Sequence, residues 1–179
     1  MHKEKILVVD DETDLCTVLK DILARGDRYE IQTAESAEEA ILKIESQSFA
    51  LVLCDYKLGG DKNGLDVLFK AKEKDPNVIT ILMTGYGTDQ VAVRAVAEGV
   101  YDYLTKPFKS IMDVKNIVER GMRYYELLRK YKEKVEDEAL QKELLKQTLE
   151  KAKRTREILR LLMAKLGTQA DAPGADAEE

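Results

Sequence analysis

Four short apolar runs in this chain are each followed by residues able to do chemistry. Lys5 to Val9 leads into Asp10-Asp11, Leu51 to Cys54 into Asp55, Val78 to Met83 into Thr84-Gly85, and Val100 to Leu104 into Thr105-Lys106-Pro107. Each is weak taken singly. An Asp after a strand often caps the next helix, Thr84 can begin a turn, Asp55 can cap a loop, and Lys106 can be a surface lysine. Their weight comes from convergence: in an open α/β sheet the carboxyl ends of the strands form one edge, and ligands bind there.

Three carboxylates on one edge need cations. Two unit charges at about 4 Å repel by ~4 kcal/mol at an effective dielectric near 20. Lys106 supplies one positive charge, and a hard divalent ion is the natural source of the rest. Mg²⁺ prefers oxygen ligands, keeps several waters, and is shared between a few carboxylates and a phosphate. A carboxylate beside Mg²⁺ and a lysine is suited to become an aspartyl phosphate. The cations neutralise charge on the transferring oxygens, and a hydroxyl at Thr84 can bond a phosphoryl oxygen.

The elements that must place these residues follow from periodicity. The runs at 5–10, 51–55 and 78–84 lack polar alternation and suit parallel strands covered on both faces. Tyr29 to Ala34 alternates and predicts a more exposed strand, and 100–105 is a fifth. Between them lie helical patterns: Thr13 to Arg25, a stretch opened by the capping-box sequence Ser36-Ala37-Glu38-Glu39, a third from Leu65 ended by Asp75-Pro76, and Val91 to Glu98 ended by Gly99. Strand and helix alternate five times, and right-handed crossovers then predict a doubly wound parallel sheet.

Composition narrows the classes further. The chain has 179 residues and a net charge of −5, no Trp, two Cys and a single His, His2. One domain with an appendage fits the length, two Cys make no disulfide framework, and mechanisms needing an internal His are excluded. No apolar run nears the ~20 residues of a membrane span. The opening residues do not read as a signal peptide, so a soluble cytoplasmic protein is expected. Charge is uneven: residues 1–110 carry net −6, 111–167 net +5 and 168–179 net −4. The overall acidity argues against broad nucleic-acid binding. Cys54 and Cys16 read as small core residues rather than redox sensors.

In order and spacing, Asp10-Asp11, Asp55, Thr84-Gly85 and Lys106-Pro107-Phe108 resemble the receiver domain of bacterial two-component response regulators (CheY-like), over roughly residues 4–125. The resemblance implies a flavodoxin-like five-stranded parallel sheet in the order 2-1-3-4-5. It implies that Asp55 is the phosphoacceptor and that the protein is not a conventional enzyme. It implies that Asp10, Asp11, Asp55 and the main-chain carbonyl of Lys57 hold Mg²⁺. Thr84 and Lys106 would contact the phosphoryl group, and Tyr103 would be the switch aromatic that turns inward when Thr84 moves. The Lys106-Pro107 peptide is commonly cis in this family, and the phosphodonor is a sensor histidine kinase. One departure stands out. The family usually carries Met-Pro after the phosphoacceptor and a Gly eight residues beyond it. Here the Pro is absent and Gly64 lies nine residues on, so the loop is one residue longer. All five site side chains are present.

From about Ser110 the pattern changes, with neither Gly nor Pro between Gly121 and Gly167. Apolar residues recur at Val114, Val118, Tyr125, Leu128, Val135, Leu145, Leu149, Leu159, Leu162 and Leu166, interrupted by Lys132, Lys142 and Arg156. A helix this long cannot bury its stripe on itself. A coiled coil with another chain is the leading account; a solvated single helix and a hairpin broken near Glu136-Asp137-Glu138 are the alternatives. The basic cluster Lys151, Lys153, Arg154 and Arg156 reads as a solvated face before a nucleic-acid contact. The expected organisation is a receiver domain at 1–125, a helical coiled-coil extension at 126–167 and a disordered acidic tail at 168–179. The expected function is a phosphorylation-controlled regulator acting through protein contact, as a homodimer with an output partner still unidentified. The alternatives are a scaffold or adaptor that dimerises constitutively, and a fragment of a larger regulator, against which the acidic, Ala-rich end reads as a natural terminus.

Overall fold

The computed structural model describes residues 3–85 and 89–169. The elements in order are β1 (Glu4–Val9), α1 (Thr13–Ala24), β2 (Tyr29–Ala34), α2 (Ala37–Ser46), β3 (Leu51–Asp55), α3 (Gly64–Lys74), β4 (Ile79–Thr84), α4 (Asp89–Ala97), β5 (Asp102–Thr105) and α5 (Ile111–Gln169). The sheet has five strands in the order β2-β1-β3-β4-β5, every pairing parallel. Both readings, doubly wound sheet and strand order, hold. His2 and the tail from residue 170 lie outside the described residues.

Strand parity sorts the core. Leu7, Val9, Val52, Cys54 and Leu82 point to the face covered by α2, α3 and α4, where Ala40, Ile44, Val67, Leu68 and Ala95 meet them. Ile6, Val8, Leu51, Leu53, Ile79 and Ile81 point to the other face, against Leu19 and Leu23 of α1 and Val114, Val118 and Met122 of α5. Fully burying one such side chain contributes roughly 1.5–3 kcal/mol, and both faces are covered, hence the unbroken apolar runs. β2 at the edge is half-exposed, as its alternation predicted.

The helix starts differ in part from the predicted signals. At α2 the Ser36 hydroxyl accepts the Glu39 N–H at 3.2 Å, but the Glu39 carboxylate accepts from Glu35, not Ser36. That carboxylate also pairs with Lys43 at 2.7 Å, so only half of the predicted box forms. Reciprocal boxes stand elsewhere. Asn63 accepts from Leu65 while Asp66 accepts from Asn63, both at 2.8 Å. Ser110 accepts from Met112 at 3.2 Å while Asp113 accepts from Ser110 at 3.1 Å. The C-terminus of α2 is held by Lys74 of α3, whose ammonium donates to the carbonyls of Ile44, Glu45 and Gln47. A cation there complements the helix dipole.

The helix α5 is continuous through Glu136–Glu138, so the hairpin is not adopted. A first compact unit runs to Lys130, five residues beyond the predicted boundary, and a second begins at Tyr131. In the first, Gly121 presses α5 onto the sheet: a Cβ there would stand 2.9 Å from Ile79 Cγ2 and 3.1 Å from Leu51 Cδ1. In the second, residues 131–156 are exposed throughout. Among the described residues no helix is long and apolar enough to cross a membrane.

Candidate functional site

Register aligns the strand ends. Val9 pairs with Cys54, Asp55 with Met83 and Thr84 with Thr105, which brings Asp10, Asp55, Thr84 and Lys106 to one edge. Asp10 is fully buried, Asp55 and Thr84 nearly so, Lys106 half-buried, and Asp11 exposed. The Lys106 ammonium lies 2.6 Å from Asp10 Oδ2 and 3.1 Å from Asp55 Oδ1. Each carboxylate turns its other oxygen to a backbone N–H of the following loop: Asp10 accepts from Glu12 at 3.1 Å and Asp55 from Lys57 at 2.9 Å. The Glu12 carboxylate stands 3.5 Å from Lys106.

The loop after β3 closes when the Gly64 N–H donates to the Tyr56 carbonyl at 2.9 Å. Gly64 stacks so tightly that a Cβ on it would lie 2.0 Å from the Asp55 carbonyl oxygen. The same loop approaches Asp11: a Cβ on Gly59 would be 3.4 Å from Asp11 Oδ2. The Thr84 hydroxyl donates to the Gly85 carbonyl at 3.2 Å, and the Thr84 carbonyl accepts from the Lys106 N–H at 2.6 Å. Lys106-Pro107 is cis. Tyr103 is 41% exposed, its ring outside the core. Cys16 and Cys54 are buried, and burial pushes the Cys16 thiol up to about 11 and holds the Cys54 thiol well above its ordinary value.

Burial dominates the electrostatics. It lifts the Asp10 and Asp55 carboxyls above the ordinary carboxylate value, against the pull of Lys106. For Lys106 burial is also the largest single influence and lowers its ammonium, but hydrogen bonds and attraction to Asp10 and Asp55 together outweigh it and raise it overall. Two desolvated carboxylates sharing one ammonium leave an uncompensated negative charge.

The carboxylates of Asp10 and Asp55 at this edge offer oxygen donors, which suits a hard cation such as Mg²⁺. Among the described residues no three His, Cys, Asp or Glu side chains converge as a finished ligand set. Asp10 and Asp55 close on Lys106 instead, and Asp11 stays at the surface. The residues fit Mg²⁺ by chemistry and by unbalanced charge.

In the presence of a chelator, Asp10→Asn removes one desolvated charge and leaves Asp55 to pair with Lys106. It is expected to stabilise the fold by about 1 kcal/mol at neutral pH. The raised folded-state carboxyls favour folding below their ordinary value of 3.8 and stop doing so as pH rises through the raised values. The advantage of the variant therefore shrinks as pH falls toward 4 and Asp10 itself takes up a proton. Urea unfolding at pH 7 and near pH 4 measures it, and a variant less stable than the parent at pH 7 contradicts it.

Every sequence-predicted side chain except Asp11 and Tyr103 meets at the buried edge. Glu12 is a part of the site that the sequence reading does not name, and Gly64, noted there only for its spacing from Asp55, packs directly on the Asp55 backbone. Glu12 completes a run of three acidic residues, a legible signal, whereas the spacing of Gly64 from Asp55 is legible but the contact it makes is not, because its partner is backbone.

Residues 6–119 match the response regulator receiver domain family. The chain is 38% identical over 102 residues to the transcriptional regulatory protein ZraR of Escherichia coli K12, covering 57% of this chain and 23% of that protein. It is 33% identical over 129 residues to the nitrogen assimilation regulatory protein NtrX of Azorhizobium caulinodans, covering 72% of this chain and 28% of that one. The chain thus spans about a quarter of the length of these relatives. A receiver domain protein (CheY-like) from Methanospirillum hungatei superposes with a TM-score of 0.64 at 32% identity, covering 70% of this chain and 98% of that one.

Proposed function

This chain belongs to the response regulator receiver domain family, a family of phosphoacceptor signalling domains in two-component systems, and from that premise we propose that Asp55 accepts a phosphoryl group from a sensor histidine kinase. The observation that carries this is the placement of Asp55: nearly buried at a strand end, one oxygen on a backbone N–H and the other 3.1 Å from Lys106. A carboxylate oxygen of Asp55 attacks phosphorus, and the bond from phosphorus to the donor nitrogen breaks. Asp10, Asp11, Asp55 and the Lys57 carbonyl would hold Mg²⁺, which supplies charge neutralisation for the transferring oxygens. Lys106 is near enough to turn from Asp55 to a phosphoryl oxygen while Asp10 retains it. The Thr84 hydroxyl exchanges its 3.2 Å bond to Gly85 for a phosphoryl oxygen, and the space it leaves admits Tyr103.

The signal would then pass as protein contact, because α5 carries an exposed apolar stripe that needs a partner, and we assign that partner as a second copy of the chain. The test is sedimentation of the full chain and of a chain ended at Lys130, each with and without beryllofluoride and Mg²⁺. A dimer from the full chain whose strength changes with beryllofluoride, and a monomer from the shortened one, are expected. A dimer indifferent to beryllofluoride would favour the scaffold reading, and a shortened chain that dimerises as tightly as the parent would remove α5 from the contact.

A further inference from the structure

The exposed stripe of the second unit has an order that its apolar content alone does not require. Tyr131, Val135, Leu145 and Leu149 are exposed large hydrophobics on α5. Between them, on the same stripe, stand exposed Glu138 and Lys142. The six positions are spaced by four, three, four, three and four residues, the interval pattern of a helix seam that pairs with another helix. They are also symmetric about residue 140: Tyr131 and Leu149 lie nine residues from it, Val135 and Leu145 five, Glu138 and Lys142 two. The pattern reads apolar, apolar, acidic, basic, apolar, apolar.

We infer that residues 131–149 of α5 pair with the same segment of a second chain running in the opposite direction, in a register centred on residue 140. This rests on the reading that α5 joins two copies, and adds the direction and register. In that arrangement Glu138 faces Lys142 of the second copy, and the reverse pair forms by symmetry. Val135 meets Leu145 and Tyr131 meets Leu149, again twice. Parallel pairing would instead set Glu138 against Glu138 and Lys142 against Lys142 inside the seam, and like charges so placed cost several kcal/mol. Opposed helix dipoles add to the antiparallel choice. The seam is about 27 Å long at 1.5 Å per residue. Lys132 and Lys146 approach across one flank, where water and salt screen them. Leu140 and Leu144 lie off the seam.

Cysteine crosslinking in the full chain tests direction. Val135→Cys and Leu145→Cys are made separately, both at exposed positions, while the native thiols stay buried. In the antiparallel register the two residues 135 are about 15 Å apart along the axis, too far for a disulfide. The expected result is no crosslink from either variant alone and a mixed 135–145 disulfide when the two are combined, in at least tenfold excess over either self-crosslink. Self-crosslinking of each variant alone would overturn the direction and leave the dimer standing. No crosslink from either variant or from their mixture, with a parent that sediments as a dimer, would overturn the register alone. A parent that is monomeric with and without beryllofluoride would remove the dimer reading and this inference with it.

Discussion

Asp55→Asn, incubated with acetyl phosphate and Mg²⁺, carries no phosphoryl label above background, while the parent carries one hydroxylamine-labile group at Asp55. The substitution is nearly isosteric. The amide oxygen can still accept from the Lys57 N–H, so the loop after β3 keeps its anchor. What is lost is the anionic oxygen that attacks phosphorus. Asp10 cannot substitute, because it is fully buried with its oxygens on Lys106 and the Glu12 N–H. Asp11 is exposed and lacks an ammonium placed beside it as Lys106 is beside Asp55. Mass mapping of the adduct separates these cases. Undiminished labelling of the variant, or a hydroxylamine-stable mark on the parent, would remove Asp55 from its proposed role.

Gly64→Ala has the largest expected effect on stability. The added Cβ would sit 2.0 Å from the Asp55 carbonyl oxygen, 2.8 Å from its carbon and 3.1 Å from Cys54 Sγ. Two of these neighbours are backbone and cannot rotate away, so either β3 or the start of α3 must move. A cost of about 3 kcal/mol or more is expected, a fall in Tm of about 10 °C or more. Because the displaced atoms belong to the phosphoacceptor itself, the protein that remains folded should also label more slowly. Gly60→Ala in the same loop is the control. Its Cβ would meet nothing closer than 3.8 Å, and a change within about 0.5 kcal/mol is expected. Equal melting of the Gly64 variant and the parent would show that the close approach is not present in solution.

The extent to which the sequence reveals this site depends on the physics of each part. Unbroken apolar runs at β1, β3 and β4 are visible because both faces of the sheet are covered, and the residues that follow them are then placed by topology alone. That suffices to bring Asp10, Asp55, Thr84 and Lys106 together across a separation of nearly a hundred positions. Adjacent Asp10 and Asp11 look equivalent in sequence and are not: one is sealed inside and the other faces water, a consequence of side-chain direction just past the end of β1. The capping boxes at Asn63 and Ser110 escape a search for Glu or Gln at the third position, because a shorter Asp makes the same reciprocal bonds. Gly64 and Gly121 act through what a missing Cβ permits. The glycine itself can be read, as Gly64 is from its spacing, but what it lies against is a property of the neighbours, and residue type does not display that.

The pairing of two desolvated carboxylates with a single ammonium also bears on how such a chain evolves. Neutralising Asp10 is expected to make the resting protein more stable, and most proteins sit only a little above the threshold they need to fold. Selection for folding alone would therefore reward the loss of one of the two carboxylates, leaving the other paired with Lys106, in any lineage whose survival did not depend on both. A chain that still carries both acids beside Lys106 holds an arrangement that selection for folding would discard, and the pressure that keeps it must come from use.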